Sequence, residues 1–188
     1  PTFSPSGNAV AEPLRVPSPT PLDKYWQVPE FVLTERSGAA VSSADLKGKI
    51  WVVDFFYTTC PGPCPAMTGR LTGLHEETRS FDDVRLVSIT LDPAKDTVEK
   101  LRTYAEAHGA DERWLFCTGD KEAIYKLANE GFKVSAVEHA GGSEPITHST
   151  KFILVDREGW VRGFYEGTTE EGSKQLAGDV RRLRGERP

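Results

Sequence analysis

Ile50-Trp51-Val52-Val53-Asp54-Phe55-Phe56-Tyr57-Thr58-Thr59-Cys60-Pro61-Gly62-Pro63-Cys64-Pro65 is the stretch on which the reading of this chain turns. Apart from Asp54, its first seven residues are β-branched or aromatic, and they follow the turn-like Lys47-Gly48-Lys49. Such a run predicts a buried central strand. From about Cys64 to Thr78, Met67, Leu71 and Leu74 recur on one side of a predicted helix. Cys60 and Cys64 therefore lie where a strand hands over to a helix, the place where open α/β sheets bind ligands. A helix N-terminus there favours thiolate over thiol. Pro61 and Pro63 remove backbone donors and stiffen the loop, while Pro65 suits the first turn of the helix. Two cysteines at this spacing can reach disulfide distance or converge on one metal ion. Either use needs accessible, nucleophilic sulfur. A purely structural disulfide would close a loop of only three residues, Pro61 to Pro63, and so would stabilise little.

The pattern outward from this segment is consistent with one α/β domain. Phe31-Val32-Leu33 and the turn at Ser37-Gly38 predict a short hairpin reaching Val41, and Val84–Leu91 a second central strand. Helical spacing runs from Thr97 to His108 through Val98, Leu101 and Tyr104, with Asp96 as the candidate N-cap. Trp114–Cys117 reads as a short strand, and Gly119-Asp120 opens a helix through Ile124, Leu127 and Ala128. Val134–Thr147 reads as irregular. Phe152–Val155 and Trp160–Tyr165 predict a hairpin around Asp156-Arg157-Glu158-Gly159, followed by an amphipathic helix from about Thr169 to Arg184. This β-α-β-α-β-β-α order is that of a thioredoxin-like three-layer sandwich: a central mixed sheet, here with an N-terminal β-hairpin extension.

Composition narrows the function. The chain has 188 residues, 38% hydrophobic and 27% charged, enough for a folded core. Its net charge of -5 disfavours a strongly basic nucleic-acid binder. Three Cys and one Met exclude both a disulfide-dense scaffold and a methionine-rich metal tract. Pro1, Pro5, Pro13, Pro17, Pro19 and Pro21 mark an extended tether over residues 1–24, ahead of a domain at 25–188. The chain starts at Pro1 with no signal-peptide pattern or membrane-length apolar run, as expected of a mature chain whose anchor has been removed.

Cys117 follows Trp114-Leu115-Phe116 and reads as a core thiol. Of the four histidines, His75 and His108 read as surface or C-cap residues, and His139 lies in the Gly-rich insertion. His148 directly precedes the Phe152–Val155 strand. Composition alone leaves it a loop histidine bonded to a carbonyl. In a thioredoxin-like arrangement that loop faces the cysteine loop, which makes His148 the candidate third ligand.

Val53–Pro65 resembles the C-x-x-x-C-P segment of the Sco/SenC family of copper chaperones, and Ser88–Thr97 resembles that family's S-x-D-P-x-x-D-T segment. Trp114 with Thr118-Gly119, and His148-Ser149, resemble two further family motifs, in order and at similar spacing from Phe31 to the final helix. The resemblance implies one copper ion, Cu(I) or Cu(II), held by Cys60, Cys64 and His148. It implies a part in assembling the copper centre of cytochrome c oxidase by metal delivery, thiol reduction or both. The implied partners are the copper-receiving oxidase subunit, other copper chaperones and thiol reductants. The implied location is the periplasm or the outer face of the cytoplasmic membrane, reached through an N-terminal anchor. Two departures stand out: Thr147 replaces the acid that often precedes the histidine, and Pro-Gly-Pro fills the cysteine loop, as in a redox dithiol.

Three other readings compete. A thiol-disulfide oxidoreductase without a stable copper site would use Cys60 to attack and Cys64 to resolve, and would not need His148. A peroxiredoxin-type peroxidase would carry Thr three residues before its reactive Cys, where this chain has Tyr57. An interaction module with structural cysteines would hold both thiols inert.

Overall fold

The computed structural model describes residues 21–139 and 146–186. Most of the expected tether at 1–24 lies outside the described residues. From Leu22 the chain is bonded to the domain: the Arg162 guanidinium donates to the carbonyls of Leu22 (2.6 Å) and Asp23 (2.9 Å). Among the described residues no helix is long and apolar enough to cross a membrane.

In chain order the elements are β1 (Val32–Glu35), β2 (Ala40–Ser42), β3 (Ile50–Phe56), α1 (Cys64–Glu77), β4 (Val84–Thr90) and α2 (Val98–Ala107). They continue as β5 (Trp114–Thr118), α3 (Lys121–Lys126), β6 (Ala136–Glu138), β7 (Ile146–His148), β8 (Lys151–Val155), β9 (Val161–Glu166) and α4 (Glu170–Gly185). A seven-stranded mixed sheet has the order β2-β1-β5-β4-β3-β8-β9. β3, β4 and β5 run parallel, whereas β8 joins β3, and β1 joins β5, antiparallel. The expected N-terminal hairpin thus extends the sheet at the β5 edge.

Every residue of β3 is buried, because helices or loops cover both faces. Side chains alternate along the strand. Phe56 meets Tyr104 of α2 on one face (ring centroids 5.5 Å), and Trp51 and Phe55 meet Phe132 on the other (5.9 and 5.6 Å). The α1–α2 face also receives Asp54, which is 1% exposed. Its Oδ1 accepts from Ser88 Oγ (2.6 Å), which in turn accepts from Trp114 Nε1 (2.9 Å). This polar chain ties three adjacent strands together.

Four expectations are corrected. Val134–Thr147 is not irregular throughout: β6 and β7 pair antiparallel in a separate two-stranded ribbon, with Ala136 opposite His148. The alternation was too short and too polar to read as strand. The helix after Asp120 ends as α at Lys126 and finishes in a π-turn over Leu127–Gly131, which brings Phe132 onto the sheet. His75 is only 3% exposed, with its ring 5.5 Å from that of Trp114 and Nε2 3.3 Å from Asp111 Oδ1. Burial lowers its pKa despite the facing Asp111 carboxylate. Lastly, Asp96 does not cap α2. Thr97 does, its side chain accepting from Lys100 N, while Asp96 turns inward and is completely buried.

Candidate metal and thiol centre

β3 delivers Tyr57–Cys60 to the C-terminal edge of the parallel strands, and α1 begins at Cys64. The helix opens without a side-chain cap. Pro63 is its N-cap residue and Pro65 sits in the first turn, so neither contributes an N–H. The loop turns back on itself where Cys60 N donates to the Tyr57 carbonyl (3.2 Å) and Met67 N to the Pro63 carbonyl (3.0 Å). All three cysteines are free thiols. Cys117 is fully buried in β5, as expected of a core residue.

The β6–β7 ribbon brings in the third group. His148 Nε2 lies 3.1 Å from Cys64 Sγ, and ligand atoms of Cys60, Cys64 and His148 all lie within 4.8 Å of one another. His148 Nδ1 is 2.9 Å from the Ser149 carbonyl oxygen. A carbonyl only accepts, so Nδ1 donates to it, and Nε2 is the ring nitrogen turned toward the sulfurs. Tyr57 supports the ribbon: its ring stands edge-on to His148 at 5.9 Å, and its hydroxyl approaches the Ile146 carbonyl at 3.5 Å. Among the described residues this is the only group of three or more such side chains placed to hold a metal ion.

The two sulfurs differ. Cys60 keeps 9% of its surface exposed and Cys64 only 1%. The expected accessibility of both thiols therefore holds only marginally for Cys60 and fails for Cys64. Burial pushes the Cys64 thiol well up, with Cys60 and the buried Asp54 adding to it. Desolvation is the largest influence on this thiol. His139 and His108 stay outside the centre. His139 Nε2 pairs with the Thr147 hydroxyl at 3.0 Å, so the position beside His148 engages a second imidazole rather than presenting an acid. His108 caps the C-terminus of α2.

The SCO1/SenC family model matches residues 20–184. The chain belongs to the SCO1/SenC family. Among solved SCO1/SenC structures, it is similar to a family lipoprotein from Bacillus anthracis str. Ames (30% identity, TM-score 0.78, covering 85% of this chain and 95% of that one). It is also similar to BsSco, described as a member of the Sco family of cytochrome c oxidase assembly proteins (29%, 0.75, 87% and 97%). A third is Bradyrhizobium japonicum ScoI with copper bound (26%, 0.71, 84% and 99%). The thioredoxin-like α/β fold is shared along nearly the whole length of these SCO1/SenC relatives.

The structure brings together Cys60, Cys64 and His148, the three residues on which the sequence motifs centre. Thr58, Tyr57 and Asp54 were not singled out as members of the surroundings, because their contacts come from segments distant in sequence. The one local clue was Asp54, a lone acid in an otherwise apolar strand.

Proposed function

We propose that this protein is a copper chaperone that helps assemble the copper centre of cytochrome c oxidase, carrying its cargo on Cys60, Cys64 and His148. The observation that carries this reading is the approach of two sulfurs and one imidazole nitrogen to within 4.8 Å of one another. Two thiolates and an imidazole form a soft, low-coordination set that suits Cu(I) and still serves Cu(II). The set is one ligand short of a closed tetrahedron, so a partner can contribute a ligand during transfer. The receiving partner is the copper-binding subunit of the oxidase. The setting is extracytoplasmic, in the periplasm or on the outer face of the cytoplasmic membrane, with the segment ahead of Leu22 as a tether. The lipoprotein character of the Bacillus anthracis relative supports that placement.

Thiol reduction is the companion activity, favoured by the unequal exposure of the sulfurs. Cys60, the less buried sulfur, would attack a target disulfide, and Cys64 would resolve the mixed disulfide and release the reduced target, leaving a Cys60–Cys64 disulfide. Other copper chaperones and thiol reductants would then reload or re-reduce the pair.

Anaerobic titration of the reduced protein with Cu(I) and Cu(II) tests the proposal. One ion per chain and strong sulfur-to-Cu(II) charge-transfer bands are expected. His148→Ala is expected to weaken Cu(I) retention about 100-fold, the loss of one donor from a three-donor set. If the parent protein shows no such bands and loses Cu(I) to a competitor, the protein acts as a thiol-disulfide oxidoreductase instead.

A further inference from the structure

One buried carboxylate outside the three-residue group is bonded to the segment that leads into Cys60. Asp96 lies between β4 and α2, is wholly buried, and directs both carboxylate oxygens at the cysteine loop. Thr58 N donates to Oδ2 (2.9 Å) and Thr58 Oγ1 to Oδ1 (2.5 Å). Thr90 Oγ1, at the end of β4, also donates to Oδ2 (2.6 Å), and Lys100 Nζ lies 3.5 Å from Oδ1.

Two donors of one residue on one carboxylate fix both its backbone direction and its rotamer, because the acceptor must satisfy both angles at once. Thr58 stands between the two parts of the centre. On one side Tyr57 leans on His148, and on the other the turn closing on the Tyr57 carbonyl presents Cys60. The anchor itself is rigid. Thr90 Oγ1 accepts from Asp92 N (3.0 Å) while donating to Asp96, and Asp96 N donates to the Asp92 carbonyl (2.8 Å). The 90–96 turn is therefore closed on itself before it takes hold of the loop. A buried carboxylate would be costly without such donors, and here each is supplied by a named neighbour.

We infer that Asp96 is a positioning residue, which through Thr58 holds Cys60 in register with Cys64 and His148. The inference rests on the proposed use of these three residues, and its test separates the two. Thr58→Val keeps the shape and the backbone donor but removes the hydroxyl, Thr58→Ser restores it, and Asp96→Asn removes one acceptor. Cu(I) affinity is expected to fall about tenfold in Thr58→Val and Asp96→Asn, the range found for outer partners of ligands, and to stay within about twofold in Thr58→Ser.

A copper-free readout accompanies it. Loosening Cys60 lowers the effective concentration of one thiol at the other, so the Cys60–Cys64 disulfide should form less readily. A tenfold loss there raises the midpoint potential by about 30 mV. Melting curves of all variants serve as the control for a role in stability alone. The inference is overturned if Thr58→Val melts lower than the parent while affinity and potential stay put, or if Thr58→Ser loses as much as Thr58→Val. Should Asp96→Asn not fold, the Thr58 pair decides the matter. Should the parent protein hold no copper, the chaperone reading fails and the disulfide potentials still decide the role of Asp96.

Discussion

Serine in place of Cys64 is expected to lower Cu(I) affinity by about 100- to 1,000-fold. A closed four-ligand metal site contributes roughly 10–16 kcal/mol, so each ligand carries about 3–4 kcal/mol, or two to three powers of ten. Oxygen is also a hard donor and replaces sulfur poorly for Cu(I). Cys64 is the sulfur in contact with His148, at 3.1 Å, so its loss removes a donor and unseats the imidazole facing it. Cys117→Ser is the matched control. That thiol is fully buried in β5 and lies outside the three-residue group. Its replacement should cost about 1–3 kcal/mol of stability through a buried hydroxyl, and leave copper affinity unchanged. Competition against a Cu(I) chelator, with denaturant unfolding in parallel, measures both quantities. Retention by Cys64→Ser to within tenfold of the parent would refute the assignment of Cys64 as a ligand.

The parts legible in the sequence were those that a local pattern dictates. The run Ile50–Phe56 could bury itself only as a central strand, and Pro63-Cys64-Pro65 could only end a loop and start a helix, so β3 and α1 follow. His148 was legible through topology, since the antiparallel strand β8 must start beside the end of β3. Other features depend on long-range partners. Asp96 precedes a helix and so looks like a cap, but a bare carboxylate is held more firmly by the three donors of Thr58 and Thr90 than by one helix N–H. Thr97 is left to cap α2. His75 looked like a surface residue because helical periodicity counts only apolar residues as inward. It is buried because Trp114 and Asp111 supply an aromatic face and a polar partner from β5 and the turn before it. The β6–β7 ribbon has only three residues per strand, below the length at which alternation can be read, and the cross-strand pairing of Ala136 with His148 defines it.

Asp54→Asn is expected to flatten the pH dependence of stability. Burial raises the Asp54 pKa from 3.8 to about 7, against the opposing hydrogen bond from Ser88. Between those two values the folded chain keeps a proton that the unfolded chain has released. Stability must therefore fall as the pH rises through this window and level off above about 7. Between pH 5 and pH 7 the slope amounts to about 2–3 kcal/mol at 1.36 kcal/mol per pH unit. Asparagine retains the oxygen that accepts from Ser88 and carries no charge to bury, so the variant lacks this slope. His75 acts in the opposite direction. Its pKa is lowered by burial, so its contribution is present above the ordinary imidazole range and is lost as the pH falls. The two effects overlap and partly cancel in the parent protein, but the His75 contribution is common to both chains and drops out of their difference. Urea unfolding of parent and variant from pH 5 to pH 8 should thus show the gap between them growing by about 2–3 kcal/mol in favour of Asp54→Asn as the pH rises. Parallel pH profiles would mean that Asp54 is ionised in the folded protein throughout this range, and that Ser88 and its neighbours stabilise the charge beneath the cysteine loop.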